Sequence, residues 1–354
     1  MPQRIRRVAP VVGLFLLAPL VGEFLLGNLR IDQLVLLPLF ALLYGAGALL
    51  IRETVRRTGR GWPAILLLAA AYALVEEGMV TRLLWDPSYG GQHHLAGDAY
   101  LPALGTNASL VQAVLSLHTI WSISVSVAVV ETFVPQRGTV PWLGRTGLAI
   151  TGVLFALGVV GGRMEVRFQA TLGQYAGTAV MIVALVVAAF AVPYRPRPIE
   201  RRAPSPWLVA VLTLVLTSLL LTLVMFWPGR WSQWVSVAAW CVVVAALVAL
   251  VARWSRCRGW GAGHRLGLAG GALLTYAWVA FPHQPVGSDP GGRADAVDLV
   301  GNTVFGLAAV LLIVLAALVV RRGGEPAEPV SETSADTVDG EHAPTAARAA
   351  HRPT

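Results

Sequence analysis

The sequence predicts an all-α fold, a bundle of about ten transmembrane helices with both termini on the cytoplasmic side. Three observations predict it. Of 354 residues, 56% are hydrophobic and 13% charged, too little charge to cover a soluble domain of this length. Apolar stretches of about twenty residues recur along the chain, each long enough to cross about 30 Å of hydrocarbon. The 27 basic residues are all arginine, and they gather between alternate stretches.

The first stretch, 8–29, follows Arg4, Arg6 and Arg7 and imitates a signal peptide. It lacks a small-x-small cleavage site, so it reads as an uncleaved first helix. Further spans are expected at 32–51, 62–85, 107–131, 145–162, 170–192, 206–227, 232–253, 264–282 and 296–320. With the amino terminus inside, the inner loops hold 19 arginines and the outer loops 5. That asymmetry sets the orientation. The net charge of +8 belongs to this signal and not to nucleic-acid binding. The lack of lysine fits the GC-rich codon usage of a bacterium, so the expected setting is the cytoplasmic membrane, with the lipid bilayer as partner and no nucleic acid.

Tryptophan and proline recur where the chain re-enters from the inner side, in RGWP at 60–63, VPWLG at 140–144 and SPWLV at 205–209. These read as interfacial anchors. Residues 323–354 are rich in Pro, Ala, Glu and Thr without apolar periodicity, the composition of a disordered cytoplasmic tail. Cys241 sits in an apolar run and Cys257 in a basic loop, which argues against a disulfide or a zinc site.

The informative stretch is YALVEEGMVTRLLWDP, Tyr72 to Pro87. Of nineteen acidic residues, Glu23, Glu76 and Glu77 fall clearly inside expected spans; Glu131 and Asp298 lie near span ends. A charge at mid-membrane costs roughly 2.5–3.5 kcal/mol on insertion scales, so a buried acid is a functional candidate by default. On an ideal helix Glu76 and Glu77 point about 100° apart. One is then expected to line a cavity while the other bonds a neighbouring helix. Counting 1.5 Å per residue brings His118, on the next span, level with Glu77 to within about a turn. Ser122 and Ser126 follow at four and eight positions, a polar stripe below the histidine. Histidine beside a carboxylate orients a base or activates water in many enzymes. It also bonds helices together in many membrane proteins.

Arg82, five residues beyond Glu77, lies on another face and is expected to snorkel to the outer headgroups. His93 and His94, near Asp86 and Asp98, form a weak metal signal in the outer loop. His283 and Asp289 add little, and Arg163, Glu165 and Arg167 form an outer lip.

EEGMVTR followed by a mid-helix histidine resembles the glutamic intramembrane proteases that include CAAX prenyl proteases and bacteriocin-processing proteins. That family pairs Glu-Glu-x-x-x-Arg with Phe-x-x-x-His and a later His-x-x-x-Asn or His-x-x-x-Asp. The resemblance implies that Glu76 or Glu77 is the base and that His118 positions water or stabilises an oxyanion. Here the arginine comes one residue late, and position 114 is valine where the family has phenylalanine. His264 and His283 are followed four residues on by Leu268 and Gly287. The similarity spans Trp62 to Pro141.

Two further readings fit the same residues: a transporter or permease-like protein with a carboxylate relay, and a structural membrane protein pinned by buried acids. A membrane peptide or small molecule is the expected substrate class. No nucleotide-binding loop, Asp-rich prenyl-diphosphate motif or His-Glu-x-x-His is present, so neither a cofactor nor a metal is expected.

Overall fold

The computed structural model describes residues 3–91, 93–191, 197–226, 231–286 and 295–324. Among the described residues ten long helices follow in chain order. They are α1 (Arg7–Phe24), α2 (Ile31–Arg57), α3 (Trp62–Val80), α4 (Ala108–Phe133), α5 (Arg145–Glu165), α6 (Leu172–Ala191), α7 (Pro206–Phe226), α8 (Ser232–Trp254), α9 (Ala262–Val279) and α10 (Ala296–Arg322). All but α9 are long and apolar enough to cross a membrane. The expected tail lies outside the described residues except at its start, where helix continues to Gly324.

Helix α4 is the hub, packing on α1, α2, α3, α8 and α9. Small residues let the backbones approach, as membrane helices without a hydrophobic drive between them require. A Cβ added at Gly45 of α2 would strike the backbone of Phe15 in α1, and one at Gly271 of α9 would strike that of Ala210 in α7. Around this centre α5, α6, α8 and α10 turn apolar side chains outward, among them Leu157, Val183 and Val242, each more than half exposed. Lipid tails are the natural solvent for those faces.

The arginine-rich end holds an ion network that the loop assignment did not anticipate. Helix α2 runs on to Arg57, and Arg52 and Glu53 are fully buried. The Arg52 guanidinium donates to Glu53 at 2.7 Å and Glu131 at 3.0 Å, and to the carbonyls of Arg137, Gly138 and Val140. Glu53 accepts the backbone N–H of Trp142, and Arg52 stacks 3.3 Å from that ring's centroid. Trp142 is therefore an anchor to protein, not to the interface as expected. Trp207, at the start of α7, is 74% exposed.

At the other end a short hairpin, β1 (Tyr100–Leu101) and β2 (Thr106–Asn107), leads into α4. Asn107 caps that helix by accepting from Ser109 N at 2.8 Å, and it donates to Gln233 of α8. Near the arginine-rich end β3 (Ile199–Arg202) pairs in parallel with β4 (Cys257–Arg258). Both cysteines are free.

Candidate functional site

Three of the four helices around the acids open into a π-helical segment at the residues in question. These are Leu20–Phe24 in α1, Val75–Val80 in α3 and Leu117–Val125 in α4. The wide turn shows in bonds from Leu25 N to Leu20 O and from Thr81 N to Glu76 O, both 2.8 Å and both spanning five residues. Such turns cost backbone hydrogen-bond geometry and concentrate at functional sites. In α1 the cause is legible, because Pro19 precedes the segment and lacks an N–H to donate.

The widened turns bring the two glutamates onto one target. His118 Nε2 lies 2.8 Å from Glu77 Oε1, and its Nδ1 lies 3.3 Å from Glu76 Oε2. The expected division, one acid to a cavity and one to another helix, is corrected. The imidazole sits between both carboxylates, offering one nitrogen to each. All three residues are buried, Glu76 at 2% exposure.

Their bonding is unequal. Glu77 is fully engaged, with Oε1 on His118 and Oε2 accepting from Thr81 Oγ1 at 2.5 Å. Among the described residues Glu76 Oε2 makes no hydrogen bond, and the buried Tyr72 hydroxyl faces Glu76 without one of good geometry. Ser122 Oγ reaches His118 Nδ1 at 3.3 Å. Ser126 leaves the expected stripe and turns to the Trp121 carbonyl, because the π turn shifts the register below His118. Trp121 fixes that turn from behind, stacked on Tyr276 at 4.5 Å and donating to Ala272 O.

Glu23 joins through α2. Its Oε1 accepts from the Tyr44 hydroxyl, and the Tyr44 ring lies 5.7 Å from that of His118. Its Oε2 accepts from Asn28 at 3.2 Å, and Asn28 Oδ1 pairs with His283 Nε2 at 2.8 Å. The histidine set aside in sequence thus begins a chain from the last loop to Glu23. Burial holds its pKa down from 6.5 to about 4. Its sequence signal was absent, since 255 residues separate it from Asn28. Asp289 lies outside the described residues.

Arg82 is brought elsewhere. It is fully buried, takes a left-handed φ of 60°, and donates to the carbonyls of Arg163 and Val166. Arg163 returns a bond to Met79 O at 2.9 Å. The expected snorkelling is overturned, because the carbonyls ending α5 need donors and offer Arg82 a protein-lined seat. Arg163 thus acts as a clamp on the α3 π turn. His93 is exposed, and Asp86 is occupied in capping Ser88, so the outer histidine loop forms no cluster with it. His264 is tied to Pro204 O and stacks on Trp260, away from the site.

A helical bundle with a buried Glu-Glu-His cluster between its central helices defines a polytopic integral membrane protein. Residues 13–320 match the model of a family described as an uncharacterized membrane protein family, and the chain belongs to that family. No curated protein and no solved structure matches it.

Proposed function

We propose that the protein is a membrane-embedded hydrolase of the glutamic type, acting on a peptide bond of a membrane-inserted substrate. The observation that carries the reading is Glu76 Oε2, which makes no hydrogen bond among the described residues and lies 3.3 Å from an imidazole oriented by Glu77 and Ser122. A water bonded to Glu76 Oε2 beside the imidazole gives its proton to Glu76, and the resulting hydroxide attacks the carbonyl carbon. His118 stabilises the oxygen that gains charge. The proton on Glu76 then passes to the departing amine, which restores the carboxylate. Glu77 positions the ring and keeps its tautomer fixed.

Transport fits less well. A relay needs polar groups through both halves of the membrane. Between the cluster and the Arg52–Glu131 network come Leu14, Leu49, Ile123 and Val127, all at 2% exposure or less. His118 and Glu131 are thirteen residues apart, about 20 Å along a helix.

The test is cleavage of membrane proteins in cells carrying wild-type or variant chains, read as new peptide termini. Glu76→Gln and His118→Ala should abolish product termini while leaving protein levels intact. Unchanged termini in both would end the hydrolase reading.

A further inference from the structure

We infer that Glu76, Glu77 and His118 form a binding site for a divalent transition-metal cation, with Zn2+ the best match. The inference goes beyond the hydrolase reading at the same site, since with the ion bound Glu76 is a ligand and not the base.

Each of the three side chains offers one ligand atom, and these atoms all lie within 4.8 Å of one another. Zinc bonds of about 2.0–2.1 Å to imidazole and carboxylate place neighbouring ligands somewhat over 3 Å apart. The ion takes His118 Nε2, 2.8 Å from Glu77 Oε1, and Glu76 Oε2, now 3.3 Å from the opposite nitrogen Nδ1, moves across to join it. Glu76 is the ligand that has to close in, and it gives up only its 3.3 Å contact with Nδ1, since Oε2 makes no hydrogen bond among the described residues. That oxygen belongs to a side chain only 2% exposed, and among the described residues it makes no hydrogen bond, with His118 Nδ1 beside it at 3.3 Å. A buried carboxylate oxygen without a hydrogen bond gains from a cation.

Charge points the same way. Glu76 and Glu77 share one imidazole, and a third carboxyl group, Glu23, is linked to the pocket through Tyr44. Arg82, which follows the pair on α3, is committed to the carbonyls of Arg163 and Val166. A divalent ion brings this pocket toward neutrality where a bare set of carboxylates is costly. One nitrogen and two carboxylate oxygens with a position left open suit zinc, whereas Mg2+ prefers six oxygens and retains its waters. Ser122, on the far nitrogen of His118, supplies the outer hydrogen bond that fixes a ligating imidazole.

The experiment uses the full chain purified in detergent, stripped with chelator and titrated with Zn2+ alone, with Mg2+ as control. One zinc per chain should bind, with Mg2+ not competing. Glu77→Gln or His118→Ala should lower zinc affinity at least tenfold. Loading with Co2+ gives a readout that a misfolded variant cannot imitate: His118→Cys should create a sulfur-to-cobalt charge-transfer band absent from the wild type. No zinc uptake by the wild type, equal uptake by folded Glu77→Gln and His118→Ala, or no such band overturns the site. Absence of zinc with intact, chelator-resistant cleavage removes the cation and spares the hydrolase. Zinc uptake with cleavage indifferent to Glu76→Gln supports the cation and removes the hydrolase.

Discussion

Glu77 on α3 and His118 on α4 meet at 2.8 Å across 41 residues of sequence, and the bond is buried. Glu76, the preceding residue, reaches the other nitrogen of the same ring. Adjacent residues address one imidazole because both helices widen into π turns at that level. The cluster is therefore a property of backbone shape as much as of residue choice.

The unequal bonding of the two acids predicts unequal kinetics. Glu76→Gln should reduce single-turnover cleavage by about 100-fold or more, the range of a lost general base. Glu77→Gln keeps a partner for His118 and should retain more activity. Equal rates for the two variants would contradict the assigned roles.

Gly22 lies in the π segment of α1, where an added Cβ would stand 2.8 Å from Ser122 Oγ and 3.0 Å from a ring carbon of Tyr44. Gly22→Ala must push one of these groups aside. Overpacking of this kind costs about 1–3 kcal/mol. Cleavage should fall more than thermal stability in detergent, since both displaced groups contact the cluster. A variant with full activity would show that Ser122 and Tyr44 do not hold His118 and Glu23 in place.

The Arg52–Glu53–Glu131 network is fully or nearly fully buried. Arg52→Ala leaves Glu131 on Arg56 and Glu53 on Arg57, so it should cost less than a stranded buried charge does, about 3–5 kcal/mol. Reversible unfolding in mixed micelles measures it. Glu131→Ala in the Arg52→Ala background should cost less than Glu131→Ala alone; additive losses would deny the coupling.

His283 resists protonation in the folded protein, at about 4 against 6.5. The unfolded chain binds the proton first as pH falls, so this contribution is complete above about 6.5 and is lost as pH drops toward 4. Wild-type melting temperature should fall over that window. His283→Gln should fall less. Superimposed curves would mean that the histidine does not sense pH through its seat on Asn28.

Asn107 supplies the N-cap of α4, the helix that carries His118. Asn107→Ala should destabilise by about 1 kcal/mol, with a further loss from the broken contact to Gln233. Asn107→Asp retains the acceptor and should recover the capping part, a difference that thermal melts resolve.

Much was legible in the chain because bilayer crossing is a local demand. Twenty apolar residues make a span wherever they fall, and arginine placement sets its direction. Counting 1.5 Å per residue sufficed to bring His118 level with Glu77, since antiparallel neighbours share a ruler. Arg82 was misplaced by that logic. Its seat depends on where α5 ends, information held in Arg163 and Val166 about eighty residues away.

By itself the sequence determined the helical bundle and the burial of Glu23, Glu76 and Glu77, all consequences of hydropathy along a single line. Only the tertiary structure decided which nitrogen each glutamate meets, that Ser126 turns away while Ser122 stays, and that His283 reaches Glu23 through Asn28. An ideal helical period cannot foresee a π turn, because its cost is repaid by packing from other helices. Contacts between distant segments leave no mark on local composition.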